Sequence, residues 1–456
     1  MTVRSVLVAN RGEIAVRVIR ACRELGIETV QAFSAADRDS LPVRMADRSI
    51  CIGGATPAES YLNRNALIQA AQMAKVDAVH PGYGFLSENA EFAQAVLDAG
   101  LTYIGPEPNS IRLMGDKAAA RKLAMDAGVP VAQGSPDPVA DVEEAARIAN
   151  GIGYPVLVKA SAGGGGRGMR VMENERQLRE GLERASSEAA AAFGNGAVYI
   201  ERYISPVRHV EVQVVGDGKD VIHFGERDCT IQRRHQKLLE ESPSPIVSLE
   251  LRERMTRAAC NLARAVNYRS AGTLEFIVDA ARQEFFFIEM NTRIQVEHPV
   301  TEAVTGVDLV KLQLRIASGE ALPMKQSDVH FRGHAIECRI NAEDSEKGFM
   351  PRPGTITQLE LPNGPGVRVD THAFASYELP PYYDSLIAKL VVWDEDRTSA
   401  IARMQRALAE FQLSGVKTTR EFHQRLLAHP AFAAADISTQ FVKEKMYAEH
   451  PMRHLL

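Results

Sequence analysis

Residues Glu284-Phe-Phe-Phe-Ile-Glu-Met-Asn-Thr-Arg-Ile-Gln-Val-Glu-His298 decide how this chain is read. From Glu289 to Glu297 every odd position is polar. Alternation with period two is what a half-buried strand shows, with its polar face in water. Two features argue for more than a wet face. The run follows three consecutive phenylalanines, which belong in a core. It also mixes oxygen ligands of metal type (Glu289, Asn291) with a guanidinium (Arg293), an amide (Gln295) and a second carboxylate (Glu297).

The preceding strand is expected over 273–279 and carries Glu275. Counting back through the turn at 280–283 places Glu275 almost opposite Glu289, provided the hairpin has no bulge. Like charges in opposed positions repel unless a cation lies between them. Mg²⁺ takes one or two carboxylates plus substrate phosphates, and Asn291 offers a carbonyl oxygen beside them. The strand is expected to continue outward through Arg293, Gln295 and Glu297. A guanidinium can grip a small planar oxyanion, and a neighbouring carboxylate can take its proton. The order predicts an ATP–Mg²⁺ site abutting a small anionic substrate.

A second stretch supports the nucleotide. Lys159-Ala-Ser-Ala-Gly-Gly-Gly-Gly-Arg-Gly-Met169 contains four consecutive glycines, more than a hairpin turn needs. Glycines let main-chain N–H groups curl around an anion. No Gly-Lys-Ser/Thr follows, so this is not a Walker loop. It joins two strands (155–159 and 169–172), which suggests a flap closing over phosphates, with Lys159 and Lys117 as candidate phosphate cations.

Composition adds exclusions. The 456 residues are 45% apolar and 24% charged, with a formal net charge of −5. That is an ordinary globular composition with no general basic surface for nucleic acid. The five cysteines are scattered without a CxxC pair, which argues against zinc or a disulfide framework and fits a reducing cytosol. No apolar run reaches transmembrane length, and no signal-peptide pattern precedes the first strand, 5–9.

The first hundred residues alternate strand and helix, an open α/β unit with a mainly parallel sheet. They lack GxGxxG, so NAD binding is unsupported. From about Met114-Gly-Asp-Lys117 the pattern turns to strand pairs (209–215 with 220–225, 273–279 with 284–290) plus helices, hence α+β. A third region starts near His330, with strands at 334–340, 355–361 and 385–392 and a helix at 398–410.

In this order, several stretches resemble biotin carboxylase, the ATP-grasp component of biotin-dependent carboxylases, from Leu7-Val-Ala-Asn-Arg-Gly-Glu-Ile14 to about residue 445. They are His80-Pro-Gly-Tyr-Gly-Phe-Leu-Ser-Glu-Asn89, Met114–Lys117, the glycine loop, Glu226-Arg-Asp-Cys-Thr-Ile-Gln-Arg-Arg-His-Gln-Lys237, Glu289–Glu302, Gly333-His-Ala-Ile-Glu-Cys-Arg-Ile-Asn-Ala-Glu343 and Pro380-Pro-Tyr-Tyr-Asp-Ser385. The resemblance implies a Rossmann-like pre-ATP-grasp domain (1–114), an ATP-grasp domain (115–332) with a mobile glycine-rich lid at about 131–203, a C-terminal biotin carboxylase domain (333–447) and a tail (448–456).

It also implies roles. Lys117, Lys159, Gly165, Gly166 and Met169 would meet ATP, with His209, Gln232 and His235 nearby and Glu201, Arg202, Tyr203 and Ile204 as the adenine hinge. Glu275, Glu289 and Asn291 would hold Mg²⁺ or Mn²⁺. Lys237, Arg293, Gln295 and Val296 would bind bicarbonate, Glu297 would deprotonate it, and Arg339 with Tyr83 would stabilise the biotin enolate. Read singly, Arg339 is a surface or ion-pair arginine, Tyr83 a turn aromatic, and His209 and His235 structural; only the resemblance raises them.

Two departures stand out: Arg202 where many members carry lysine, and Ala162 where many carry glycine. No Ala-Met-Lys-Met biotinylation hairpin occurs. The expectation is therefore a stand-alone, cytoplasmic, homodimeric subunit that charges biotin on a separate carrier protein for a carboxyltransferase. The most favoured such assembly is an acetyl-CoA carboxylase of fatty acid synthesis, another acyl-CoA or 2-oxo acid carboxylase being the alternative. Arg20 and Glu24 match interface positions of such dimers, and also fit an ordinary intrahelical pair. The rivals are another ATP-grasp ligase and a catalytically silent nucleotide-binding subunit.

Overall fold

The computed structural model describes residues 2–160 and 168–447; Ala162, Gly165, Gly166 and the tail from 448 lie outside them. Five parallel strands open the chain, ordered Arg48–Gly53, Glu28–Ser34, Ser5–Val8, Ala78–His80, Thr102–Tyr103. Strand order reverses at Ser5–Val8, so the loops leaving it and Ala78–His80 diverge around a crevice at their carboxyl ends, the usual ligand position in open α/β sheets. Asn10–Glu13 and Pro81–Phe85 line it. Asn10 Nδ2 donates to the carbonyls of Pro81 (2.6 Å) and Tyr83 (2.7 Å), locking one loop to the other. Gly82 sits at φ 63°, and a Cβ there would come within 2.7 Å of that amide nitrogen, so only glycine fits.

The second sheet has eight strands. Its order is Glu284–Asn291, Arg269–Asp279, Arg208–Asp217, Val221–Arg233, Gln236–Ser242, His334–Asn341, Leu386–Asp394, Val367–Thr371. It runs without a break across residue 332: Leu239, Glu240, Glu241 and Ser242 pair with Cys338, Glu337, Ile336 and Ala335. The turn between Val221–Arg233 and Gln236–Ser242 is Arg234–His235, both left-handed (φ 48° and 66°), which matches the two-residue hairpin geometry that follows strand twist. This hairpin carries Gln232 and Lys237 as a cross-strand pair.

A separate three-stranded antiparallel sheet, Met169–Met172, Val156–Ala160 and Val198–Arg202, packs on the helices Val142–Ile152 and Glu175–Phe193 around its own apolar cluster. Strands expected at 273–279, 284–290, 334–340 and 385–392 are present as Arg269–Asp279, Glu284–Asn291, His334–Asn341 and Leu386–Asp394. The strand expected at 355–361 shrinks to Gln358–Glu360. Prolines at 351, 353 and 362 bracket it and remove ladder donors.

Two expectations about the opening stretch are corrected. The strand does not continue to Glu297; it ends at Asn291, and an irregular segment leads to the helix His298–Thr305. The hairpin also does contain a bulge. Phe276 pairs with Phe287 but Glu275 pairs with Glu289, so Ile288 is the extra residue. In an unbulged ladder Glu275 would face Ile288, and Glu289 would point to the other side. The irregularity is what brings both carboxylates to one face.

Candidate active site

Lys237 is the hub. Its ammonium lies 2.6 Å from Glu211 Oε2, 2.8 Å from Glu275 Oε1 and 2.6 Å from Glu297 Oε1. Burial opposes its charge, yet the three carboxylates push its pKa well above the ordinary value. Glu297 is fully buried at the start of the helix His298–Thr305. Burial disfavours its carboxylate too, but Lys237, Arg339 and Arg227 overcome that and hold it well below the usual range. Arg339 donates to Glu297 Oε2 at 2.9 Å and to Glu240 Oε1 at 2.7 Å through Nε. Glu240 is pushed up to about 7 by burial, with Arg339 pulling the other way. Arg227 reaches Glu211 at 2.6 Å. Lys237, Arg227 and Arg339 thus interlock with Glu211, Glu240, Glu275 and Glu297.

The metal pair is less satisfied. Glu275 accepts from Lys237 and from Asn291 Nδ2 (3.0 Å) and faces His209 Nε2 at 3.0 Å. Burial lowers the His209 pKa, but Glu275 outweighs it and the net shift is upward. Glu289, directly opposite Glu275, makes no side-chain hydrogen bond among the described residues. Burial and the charge of Glu275 raise its pKa, and Lys117 counters. This unmatched carboxylate beside a second one is a donor set that fits a hard divalent cation. His209, Glu211 and Glu275 also approach each other at ligand distances, but the Lys237 ammonium already pairs with both carboxylates.

Arg293 is not an open clamp here. Its guanidinium holds Glu88 Oε2 (2.9 Å), Asn291 Oδ1 (3.0 Å) and Gln295 Oε1 (2.9 Å). Glu88 also accepts from the Thr292 N–H, so a residue of the first region fixes this segment. Lys159 pairs with Glu201 at 2.9 Å on the neighbouring strand. Lys117 follows Asp116, whose side chain caps its helix; burial lowers the lysine's pKa. Gln232 contacts His209 at 3.4 Å, and His235 is exposed in its turn. Met169, Arg202, Tyr203 and Ile204 lie along the small sheet and just beyond it.

Tyr83 donates to Glu13 at the mouth of a cavity of about 310 Å³, which Arg11, His372 and Tyr383 also line. Arg20 and Glu24 do not pair; Glu24 meets Lys311 instead. Sequence reading missed Glu13, Glu88, Glu211, Arg227, Glu240 and Lys389. Their only trace was a single charge set inside an otherwise apolar strand, or within a motif whose neighbours took the attention.

With this geometry in view, three family descriptions match: "Biotin carboxylase, N-terminal domain" over 2–111, "Carbamoyl-phosphate synthase L chain, ATP binding domain" over 116–325, and "Biotin carboxylase C-terminal domain" over 337–444. Biotin carboxylase 1 of Bacillus subtilis is 54% identical over 442 residues, covering 97% of this chain and 98% of that protein. The chain belongs to the biotin carboxylase family.

A pyruvate carboxylase subunit of Methanothermobacter thermautotrophicus is 52% identical over 96% of this chain and 89% of that one. Among solved structures, the biotin carboxylase domain dimer of Hydrogenobacter thermophilus 2-oxoglutarate carboxylase, in complex with MgADP, ADP and bicarbonate, superposes with a TM-score of 0.92. It shares 49% identity, and each chain is 98% covered. Biotin carboxylase from Campylobacter jejuni, as its β,γ-ATP complex, gives 0.92 at 49% identity, covering 97% of this chain and 98% of that one. The biotin carboxylases are ATP-dependent ligases, and this chain carries their half-reaction.

Proposed function

We propose that this chain carboxylates biotin on a separate carrier protein, using MgATP and bicarbonate, and that Glu297 is the base. The carrying observation is Glu297 itself: a fully buried carboxylate gripped by both Lys237 and Arg339. In that grip it is ionised but a poor proton acceptor. When a substrate anion at Arg293 draws Lys237 toward itself, that lysine's hold on Glu297 loosens and the proton affinity of Glu297 climbs, so the base is activated by the substrate it deprotonates.

Bicarbonate, once deprotonated, attacks the γ-phosphorus of ATP; the P–O bond to ADP breaks and carboxyphosphate forms. That mixed anhydride releases CO₂ and phosphate, and the phosphate takes the ureido N1′ proton of biotin. The biotin nitrogen then bonds to CO₂, while Arg339 and Tyr83 stabilise the enolate oxygen. Lys117, Lys159 and the glycine-rich segment bind phosphates, and residues 201–204 receive adenine. Glu275 and Glu289 would hold Mg²⁺, with Asn291 beside them, and the ion would offset charge on the phosphate oxygens. The small sheet with residues 131–203 serves as the lid.

For partners, we favour a biotin carboxyl carrier protein and a carboxyltransferase on separate chains, a homodimer, and the cytoplasm; no helix among the described residues is long and apolar enough to cross a membrane. Acetyl-CoA is the favoured final acceptor. The 2-oxo acid carboxylase relatives support pyruvate or 2-oxoglutarate as the second reading. The test is ATP hydrolysis by the purified chain with Mg²⁺ and bicarbonate, with and without free biotin. A rate that needs bicarbonate and rises with biotin is expected; a biotin-independent rate would point to a different ATP-grasp ligase.

A further inference from the structure

The strand Leu386-Ile-Ala-Lys-Leu-Val-Val-Trp-Asp394 is apolar up to its last residue except for Lys389, and that lysine is wholly buried. An ammonium out of water is costly unless several partners compensate it. Three groups do so here. Nζ donates to the main-chain carbonyl of Val296 at 2.9 Å, pairs with Glu13 Oε2 at 3.1 Å and lies 3.9 Å from Asp370.

These partners belong to opposite walls of the site. Val296 immediately precedes Glu297, in the segment that presents Gln295 and the base. Glu13 begins the helix Gly12–Glu24 in the first region, and its other oxygen accepts the Tyr83 hydroxyl. Lys389 is also the direct cross-strand neighbour of Arg339. Side chains opposed in this way share a face of the sheet. Two adjacent cations therefore hold adjacent residues of one loop, Arg339 by the Glu297 side chain and Lys389 by the Val296 backbone.

We propose that Lys389 is a positioning residue that sets the bicarbonate wall and the biotin wall against each other, through Val296 on one side and the Glu13–Tyr83 pair on the other. The inference rests on the biotin carboxylase reading of the site. It adds that neither substrate pocket keeps its geometry alone: one ammonium fixes the backbone beside the base and the orientation of the tyrosine facing biotin.

The experiment compares Lys389→Met and Glu13→Gln with the unaltered full-length chain. It measures KM for bicarbonate, KM for free biotin, Kd for MgATP and Tm. Lys389→Met should raise both KM values by about tenfold or more while MgATP affinity stays within about threefold. Glu13→Gln should raise the biotin KM by about tenfold and shift the bicarbonate KM far less. A Lys389→Met enzyme in which only one KM changes, or in which affinity for both substrates and for MgATP falls together with Tm, overturns the proposal. If Lys389→Met does not fold, Glu13→Gln still decides: an unchanged biotin KM refutes the arm through Tyr83. The unaltered chain's own response to biotin tests the function separately, so the two failures are distinguishable.

Discussion

The two carboxylate groups of the site differ in how their charge is met. Around Glu297 the protein supplies its own counter-ions: Lys237, Arg227 and Arg339 stand against Glu211, Glu240 and Glu297. At the hairpin, Glu275 and Glu289 face one another with Glu289 unpaired among the described residues, and burial together with that neighbour raises its pKa. The first cluster is complete without ligands and keeps Glu297 ionised and oriented. In the second, Glu275 is met by Lys237 and His209 but Glu289 has no counter-ion in contact among the described residues, as a site requires if a cation is to arrive with its substrate. A buried charge is tolerable when paired; the half-buried Glu289, left without a partner, is open to one from solution.

The sharpest break in this contrast is Glu297→Gln. It should cut carboxylation on the order of 10³-fold while MgATP binding, measured by calorimetry, stays close to that of the unaltered chain; near-normal turnover would remove Glu297 as base. Arg339→Ser comes next. Biotin carboxylation should fall roughly 10²-fold while bicarbonate-dependent ATP cleavage persists, and equal loss of both would contradict a role toward the enolate. On the other side, Glu289→Gln should raise the Mg²⁺ concentration for half-maximal activity by roughly tenfold and leave the biotin KM unmoved, since its charge serves the arriving cation. An unchanged Mg²⁺ requirement would erase the distinction between the clusters.

The smallest effect on chemistry concerns pH and folding. Burial lowers the pKa of His80 and His423 to about 4 and of His372 to about 3, from 6.5. The folded chain then binds fewer protons than the unfolded one between those values. Stability should be complete above about pH 6.5 and drain away as pH falls to about 3–4. Urea midpoints across this range check it; a flat profile would mean that these rings are protonated where they stand.

Much of this was legible in the sequence. Period-two patterning located the strands that carry the site, and counting through the short turn at 280–283 placed Glu275 within one residue of Glu289. What failed was parity: one extra residue, Ile288, decides which face Glu289 takes, and nothing in the local pattern marks it. The polar positions from Arg293 to Glu297 were identified, but their conformation was not, because they are held by Glu88, Lys389 and Arg339 from distant elements. Glu211, Glu240 and Glu13 stayed hidden for the same reason. Each is an acid whose partner lies across a sheet or in another region, and a linear pattern does not record that adjacency.

The uninterrupted ladder between Gln236–Ser242 and His334–Asn341 has a mechanical consequence. Lys237 and Arg339, which grip Glu297 from either side, hang from strands that share backbone hydrogen bonds. They move as one piece of a stiff plate, and spreading them apart means tearing the plate rather than bending a linker. Among the described residues no strand of the small three-stranded sheet pairs with that plate; residues 130–134 link the two, bonding to Phe287 on one side and to the strand Val198–Arg202 on the other. On the function proposed above, compliance is then sorted by place: the lid over the nucleotide is the yielding part, and the plate beneath the proton transfer is the rigid one.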